Sequence, residues 1–240
     1  MEELTPEEKI ILYRKRQQIK DRIKSWNDSV PEAFRGYDLD TLLEGRVNGN
    51  IPAAAVIDIR NWMKNPTPFL LLHGPSGLGK TLIGFLIAGE MLSRGVVGTA
   101  RYIPATRLLD GLSDYSDREE GGALARSKHP ELLLLDDLGS GGMDMSQARR
   151  TGLWELIDYR WSTGKHTIIT TNLATTEMVD VESPDFTVED YIGNSAWDRM
   201  TDKRVDIPFH GETSRKKGDM TVEEKRRLRK EKREQRWSRQ

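Results

Sequence analysis

Two short blocks of unbroken apolar residues stand out against a polar chain, Phe69-Leu70-Leu71-Leu72 and Leu132-Leu133-Leu134-Leu135. Such a run suits a strand buried on both faces of a parallel sheet, where neither side meets water. Thr99–Ile103, His166–Thr170 and Val205–Ile207 read as three further strands. Helical spacing fills the intervals. It predicts a helix over Leu82–Leu92, one opening at Pro104 through Leu108, Leu109 and Leu112, and a short one near Ala123–Arg126. Gly139 to Gly142 reads as a flexible loop. A longer helix from about Ser146 to Trp161 turns Leu153, Leu156, Ile157 and Trp154 inward, and another covers Thr187–Met200. Ahead of the first strand, a helix opened by Ile51-Pro52 runs through Val56, Ile59 and Trp62 and stops before Asn65-Pro66-Thr67-Pro68. Strands alternating with helices in this way indicate an α/β fold with a central parallel sheet and right-handed crossovers.

The two ends follow other patterns. Thr5 can cap a helix that has Pro6 at its first position and Glu8 closing a capping box. Leu12, Ile19, Ile23 and Trp26 then form a narrow apolar stripe among charges. That stripe suits either a partner helix or a thin contact with the domain. Residues 27–50 read as a linker, broken by Pro31, Gly36, Gly45 and Asn48-Gly49-Asn50. From Asp219 onward the tail reads as a charged helix with few apolar residues, exposed or disordered when alone. The resulting division is residues 1–50 as an N-terminal helix and linker able to bind a partner, 51–217 as the folded domain, and 218–240 as a basic tail.

Composition sharpens this picture at one point. The chain has 240 residues, 36% apolar and 31% charged, enough for one α/β domain with polar ends. Its net charge of −1 conceals an asymmetry. Residues 215–240 carry 12 Lys/Arg against 5 Asp/Glu, a net of +7. The remaining 25 Lys/Arg and 33 Asp/Glu give −8. A basic tail on an acidic body suggests contact with nucleic acid or an acidic surface, or simply a solvated charged end. The chain has no cysteine, so disulfides and thiolate metal sites are excluded. No apolar run approaches the roughly 18 residues of a transmembrane helix, and the acidic N-terminus lacks a signal-peptide core. A cytoplasmic protein with no membrane partner is the expectation.

The candidate chemistry lies at strand ends. Phe69–Leu72 runs into Gly74-Pro75-Ser76-Gly77-Leu78-Gly79-Lys80-Thr81, and Leu82 continues as an apolar helix. Strand, glycine loop and helix in this order form the context of a phosphate-binding loop. Its glycines allow a tight turn whose N–H groups face an anion at the positive end of the helix. Lys80 would reach the β- and γ-phosphates, and the Thr81 hydroxyl would join a Mg²⁺ shell. Asp136, closing the second apolar run, is the matching Mg²⁺-linked carboxylate, and Asp137 can orient or deprotonate an attacking water. Asn172, after Thr170-Thr171, has an amide able to position the same water. Arg199 and Arg215 are candidates for phosphate contacts. In a parallel sheet these features all fall beyond the carboxyl ends of strands, where ligands bind.

These residues carry a family resemblance. Gly74–Thr81, Leu132–Gly139 and Thr170-Thr171-Asn172 resemble the Walker A, Walker B and sensor 1 motifs of AAA+ ATPases. Their order and spacing resemble the DnaC/DnaI helicase loaders and the related IstB transposition ATPases. Arg160 follows the Walker B segment as in that group. Trp197-Asp198-Arg199-Met200 resembles the loaders' arginine-finger segment, and Gly211-Glu212-Thr213-Ser214-Arg215 their closing segment with a sensor-2-type arginine. The resemblance implies a three-layer P-loop NTPase with its helical lid domain absent or vestigial. It also implies an oligomer that binds ATP and Mg²⁺ at subunit interfaces, with Arg199 completing the neighbour's site. Asp137 stands where many AAA+ members have glutamate, a departure compatible with slow hydrolysis, and DnaI-like members also carry Asp-Asp there, so it does not argue for inactivity. The implied function is ATP-dependent loading of a replicative helicase onto single-stranded DNA. Two alternatives stand beside it: an IstB-like transposition helper on duplex DNA, and an adaptor that binds ATP without hydrolysing it.

Overall fold

The structure is a computed structural model that describes residues 5–44, 53–113, 122–141, 145–175 and 186–210. Five parallel strands, β1 (Phe69–His73), β2 (Ala100–Pro104), β3 (Leu132–Leu138), β4 (His166–Thr171) and β5 (Arg204–Pro208), form one sheet in the order β2-β3-β4-β1-β5. β1 and β4, ranked inside the sheet, are buried almost throughout, which is why they read as apolar or β-branched runs.

Alternate strand residues serve opposite faces. Leu70, Leu72, Leu132, Leu134 and Ile168 meet α1 (Pro6–Ser29), α2 (Leu39–Leu43), α3 (Ala53–Lys64) and α4 (Lys80–Ser93). Phe69, Leu71, Leu133, Leu135 and Ile169 meet α5 (Ala105–Ser113), α6 (Ala123–Lys128), α7 (Gln147–Ser162), α8 (Val188–Ile192) and α9 (Asn194–Asp202). Two helical layers thus enclose the sheet, the three-layer α/β arrangement.

Several elements depart from the sequence reading. The Thr5–Glu8 capping box forms, but α1 continues to Ser29. Only its C-terminal part joins the domain. Trp26 is buried with Nε1 donating to the Phe85 carbonyl at 3.3 Å, while Ile10, Ile11, Leu12 and Tyr13 are exposed. The stretch expected as linker holds a 3₁₀ turn at Glu32–Phe34 and α2. Asp38 caps α2 through the Thr41 N–H, and Leu39, Leu42 and Leu43 at helical spacing bury against α4's side of the sheet. Trp154 is exposed rather than inward, because Leu153, Leu156, Ile157 and Arg160 already fill the buried arc of α7. The helix expected over Thr187–Met200 is two helices, α8 and α9. Gly193, at φ +86°, breaks the hydrogen-bonded run between them. Arg215, the tail from residue 211 and the end of the loop at Gly142 lie outside the described residues.

Candidate functional site

The carboxyl ends of β1, β3 and β4 meet at one rim. β1 passes through buried His73 into Gly74, which sits at φ +124° with the Phe209 carbonyl oxygen only 2.3 Å from where a Cβ would stand. No larger residue fits there, because the approaching atom is backbone. Gly77 and Gly79 also have positive φ, so the loop turns tightly into α4. Gly79 caps α4 without a side-chain hydrogen bond. The helix therefore presents its N-terminal amides to the rim, the arrangement that suits an anion. Pro75 and Ser76 are exposed at the loop tip, Leu78 is buried beneath it, and Leu82 is half-buried in the first turn of α4.

Lys80 is buried, and its Nζ donates to the carbonyls of Gly74 and Pro75 at 2.7 Å each and to Asn172 Oδ1 at 2.9 Å. The other end of the Asn172 amide donates from Nδ2 to Asp137 Oδ1 at 2.9 Å. One side chain from the end of β4 thus connects the loop lysine to the carboxylate at the end of β3. Thr81 Oγ1 donates to Asp136 Oδ1 at 2.8 Å. Thr170 Oγ1 donates to the same oxygen at 2.6 Å and accepts the Asp137 N–H at 2.8 Å. Asp137 lies at φ +58°, alone among described non-glycine residues in the left-handed region. The register of β3 against β4 slips between Leu135 and Leu138 to accommodate it. This strained turn aims two adjacent carboxylates in different directions, one at Thr81 and one at Asn172.

Two contributors, Tyr102 and Thr170, are absent from the sequence-derived set of site residues. Tyr102, on edge strand β2, places its hydroxyl 3.5 Å from Asp136 Oδ2. Burial, and then the Asp136 charge, push its phenol up to about 12. Thr170 stands within the Thr-Thr-Asn segment, and the strand's two-residue period places it on the same face as Ile168, but only the pairing of β4 with β3 sets it opposite Asp136. Tyr102 leaves no signal, since only strand pairing brings β2 alongside β3. His73 is buried beneath the loop with Nδ1 lacking a hydrogen-bond partner, and burial holds its imidazole below the usual histidine range.

Arg199 stands apart from this cluster. It lies on α9, where Nε donates to Asp158 Oδ1 of α7 at 3.0 Å and the guanidinium stacks 4.7 Å from the Trp161 ring centroid. Gly74–Leu82, Asp136, Asp137 and Asn172 are brought together by the fold, and Arg199 is not among them.

Similar proteins bear on this geometry. The chain matches the DnaC helicase loader structure at 21% identity, over 75% of this chain and 100% of that one, with a TM-score of 0.57. It matches DnaI at 21% identity over 78% of this chain and 95% of that one, with the same TM-score of 0.57. The replication initiator DnaA, solved with AMPPCP and single-stranded DNA, matches at 15% identity over 71% of this chain and 50% of that one, TM-score 0.53. These likenesses establish the fold as the P-loop AAA+ NTPase core. No curated protein matches the chain. Residues 51–221, which span every strand and the whole rim cluster, match the model of the IstB-like ATP binding protein. The chain is therefore a member of the IstB-like ATP-binding protein family.

Proposed function

We propose that this protein hydrolyses ATP between subunits and uses the cycle to load a replicative helicase onto single-stranded DNA. The observation that carries the reading is the Lys80–Asn172–Asp137 relay. A chain built only to hold ATP needs the lysine. Tying that lysine through an amide to a strained carboxylate suits a site that senses the γ-phosphate and acts on water.

In this reading the loop N–H groups from Ser76 to Leu82 receive the phosphates, and Lys80 exchanges its carbonyl partners for β- and γ-phosphate oxygens. Thr81 Oγ1 and Asp136 Oδ1, hard oxygen donors 2.8 Å apart, fit a Mg²⁺ shell. Magnesium there would neutralise charge between the β- and γ-phosphates. Asp137 accepts a proton from the attacking water, and Asn172 fixes that water's position. Arg199, remote from its own loop, serves the γ-phosphate of a neighbouring copy, and Arg215 contacts phosphate from the closing segment. The exposed Ile10, Ile11 and Tyr13 of α1 offer the helicase an apolar stripe. The fold shared with DnaC, a helicase loader, and with a DnaA solved on single-stranded DNA supports this choice of partner and polymer.

A second reading, a transposition helper on duplex DNA, draws support from the IstB-like family match. Steady-state ATP hydrolysis with single-stranded or duplex DNA separates the two. The expected result is stimulation by single strands, loss of turnover in Arg199→Ala, and rescue when Arg199→Ala is mixed with Asp137→Ala. Lys80→Ala should fold and fail to bind ATP. Stimulation by duplex alone would favour the transposition helper. ATP bound without turnover under every condition would leave a nucleotide-gated adaptor.

A further inference from the structure

Trp154, expected in the core, instead lines a groove of about 300 Å³ between α7 and the start of α9. Gln147, Thr151 and Trp154 stand one above another on α7 at helical spacing, and Asn194 and Ser195 face them. Arg150 closes one side, its guanidinium 3.9 Å from where a Cβ on Gly193 would stand. Its bonds to the Met145 and Asp190 carbonyls are long, 3.4 Å each, and leave donors over. The Asp190 carboxylate is turned away and held in the Thr187 capping box.

The lining selects a ligand class. Among the described residues it contains no carboxylate, which disfavours a metal ion, and a single cation, which is too few for an acidic peptide. One broad aromatic face surrounded by neutral amides and hydroxyls is poor for a lipid chain. It is well matched to a flat heterocycle with hydrogen-bonding edges, and one arginine suffices for the adjoining phosphodiester. We propose that the groove takes one unpaired nucleobase of a DNA strand, stacked on Trp154 with its phosphate at Arg150. This rests on the loader reading, since it requires the protein to hold single strands. It adds a residue-level site for the strand, separate from the nucleotide loop.

The test is oligonucleotide binding by the full chain, followed by anisotropy and tryptophan emission, using a thymine tract and the same tract with abasic sites. Trp26, Trp62 and Trp197 are buried and Trp161 is covered by Arg199 and Lys203, so Trp154 is the exposed reporter among the described residues. In a Trp237→Phe background, which removes the tryptophan of the tail, the tract should quench emission, and Trp154→Ala should abolish that quenching. Trp154→Ala should lose affinity by about 5- to 100-fold, and Trp154→Phe should recover most of it. ATP binding should be unchanged in both variants, and the abasic tract should bind wild type and Trp154→Ala alike. If Trp154→Ala holds the thymine tract as tightly as wild type, the groove assignment is overturned while the loader reading stands. The assignment is likewise overturned if the variant keeps its DNA and loses only helicase capture. If the wild type binds duplex alone or no DNA, the loader reading falls and the groove assignment falls with it.

Discussion

Asp137 shows what a single residue can reveal. Holding a non-glycine residue at φ +58° costs on the order of 1 kcal/mol, and Asp and Asn tolerate it better than most. Asp137→Asn should therefore keep the melting temperature and ATP binding while lowering turnover about 10²- to 10⁴-fold. Asp137→Gly should melt no lower than wild type, because relief of strain offsets the lost hydrogen bond from Asn172. A melting temperature well below wild type in both variants, with turnover retained, would make the carboxylate structural. The glycine loop and the paired acids were legible because their spacing is local and fixed by phosphate geometry. Thr170 and Tyr102 reach Asp136 only through strand register, and a linear pattern does not encode which strands pair.

Among the elements, α1 makes the clearest prediction. It is secured by Trp26, which packs on Phe85 with ring centroids 5.5 Å apart, while its first two turns stand clear of the domain. Trp26→Ala should destabilise the fold by about 3–5 kcal/mol, read as a lowered melting transition. If α1 binds a helicase as proposed, Ile10→Ser with Tyr13→Ser should leave the transition in place and abolish that capture. Loss of stability in the second pair would mean that the exposed stripe packs on its own chain. Strands and long helices were readable because burial imposes one period over many residues. Residues 187–200 misled because composition favours helix throughout, while one glycine in an unusual conformation divides it. Residues 27–44 misled because breaker residues outweighed three leucines whose burial depends on distant α4. Trp154 misled because an aromatic at helical spacing is apolar by type, whatever surface it serves.

For the molecule as a whole, stability responds to pH through one buried and one half-buried histidine. His73 and His166 both titrate below the usual 6.5, in each case chiefly because burial disfavours the charged ring. As pH falls through 6.5 the unfolded chain takes up these protons before the folded one does, so stability present at neutral pH declines toward acid. Chemical denaturation at pH 7.5 and 5.5 should show this decline, and His166→Gln should shrink it. An unchanged pH slope in the variant would assign the effect to other groups. Tyr102 has the opposite sign, its raised pKa contributing stability that is lost only as pH climbs from 10 toward about 12. At the other extreme of scale, the separation of Arg199 from its own loop has a counting consequence. If completing a site takes two copies, then an open row of n subunits contains n − 1 finished sites, and a closed ring contains n. The terminal subunit of a row can hold ATP but cannot cleave it, so an unclosed assembly has one end marked by a persistent triphosphate and hence a direction.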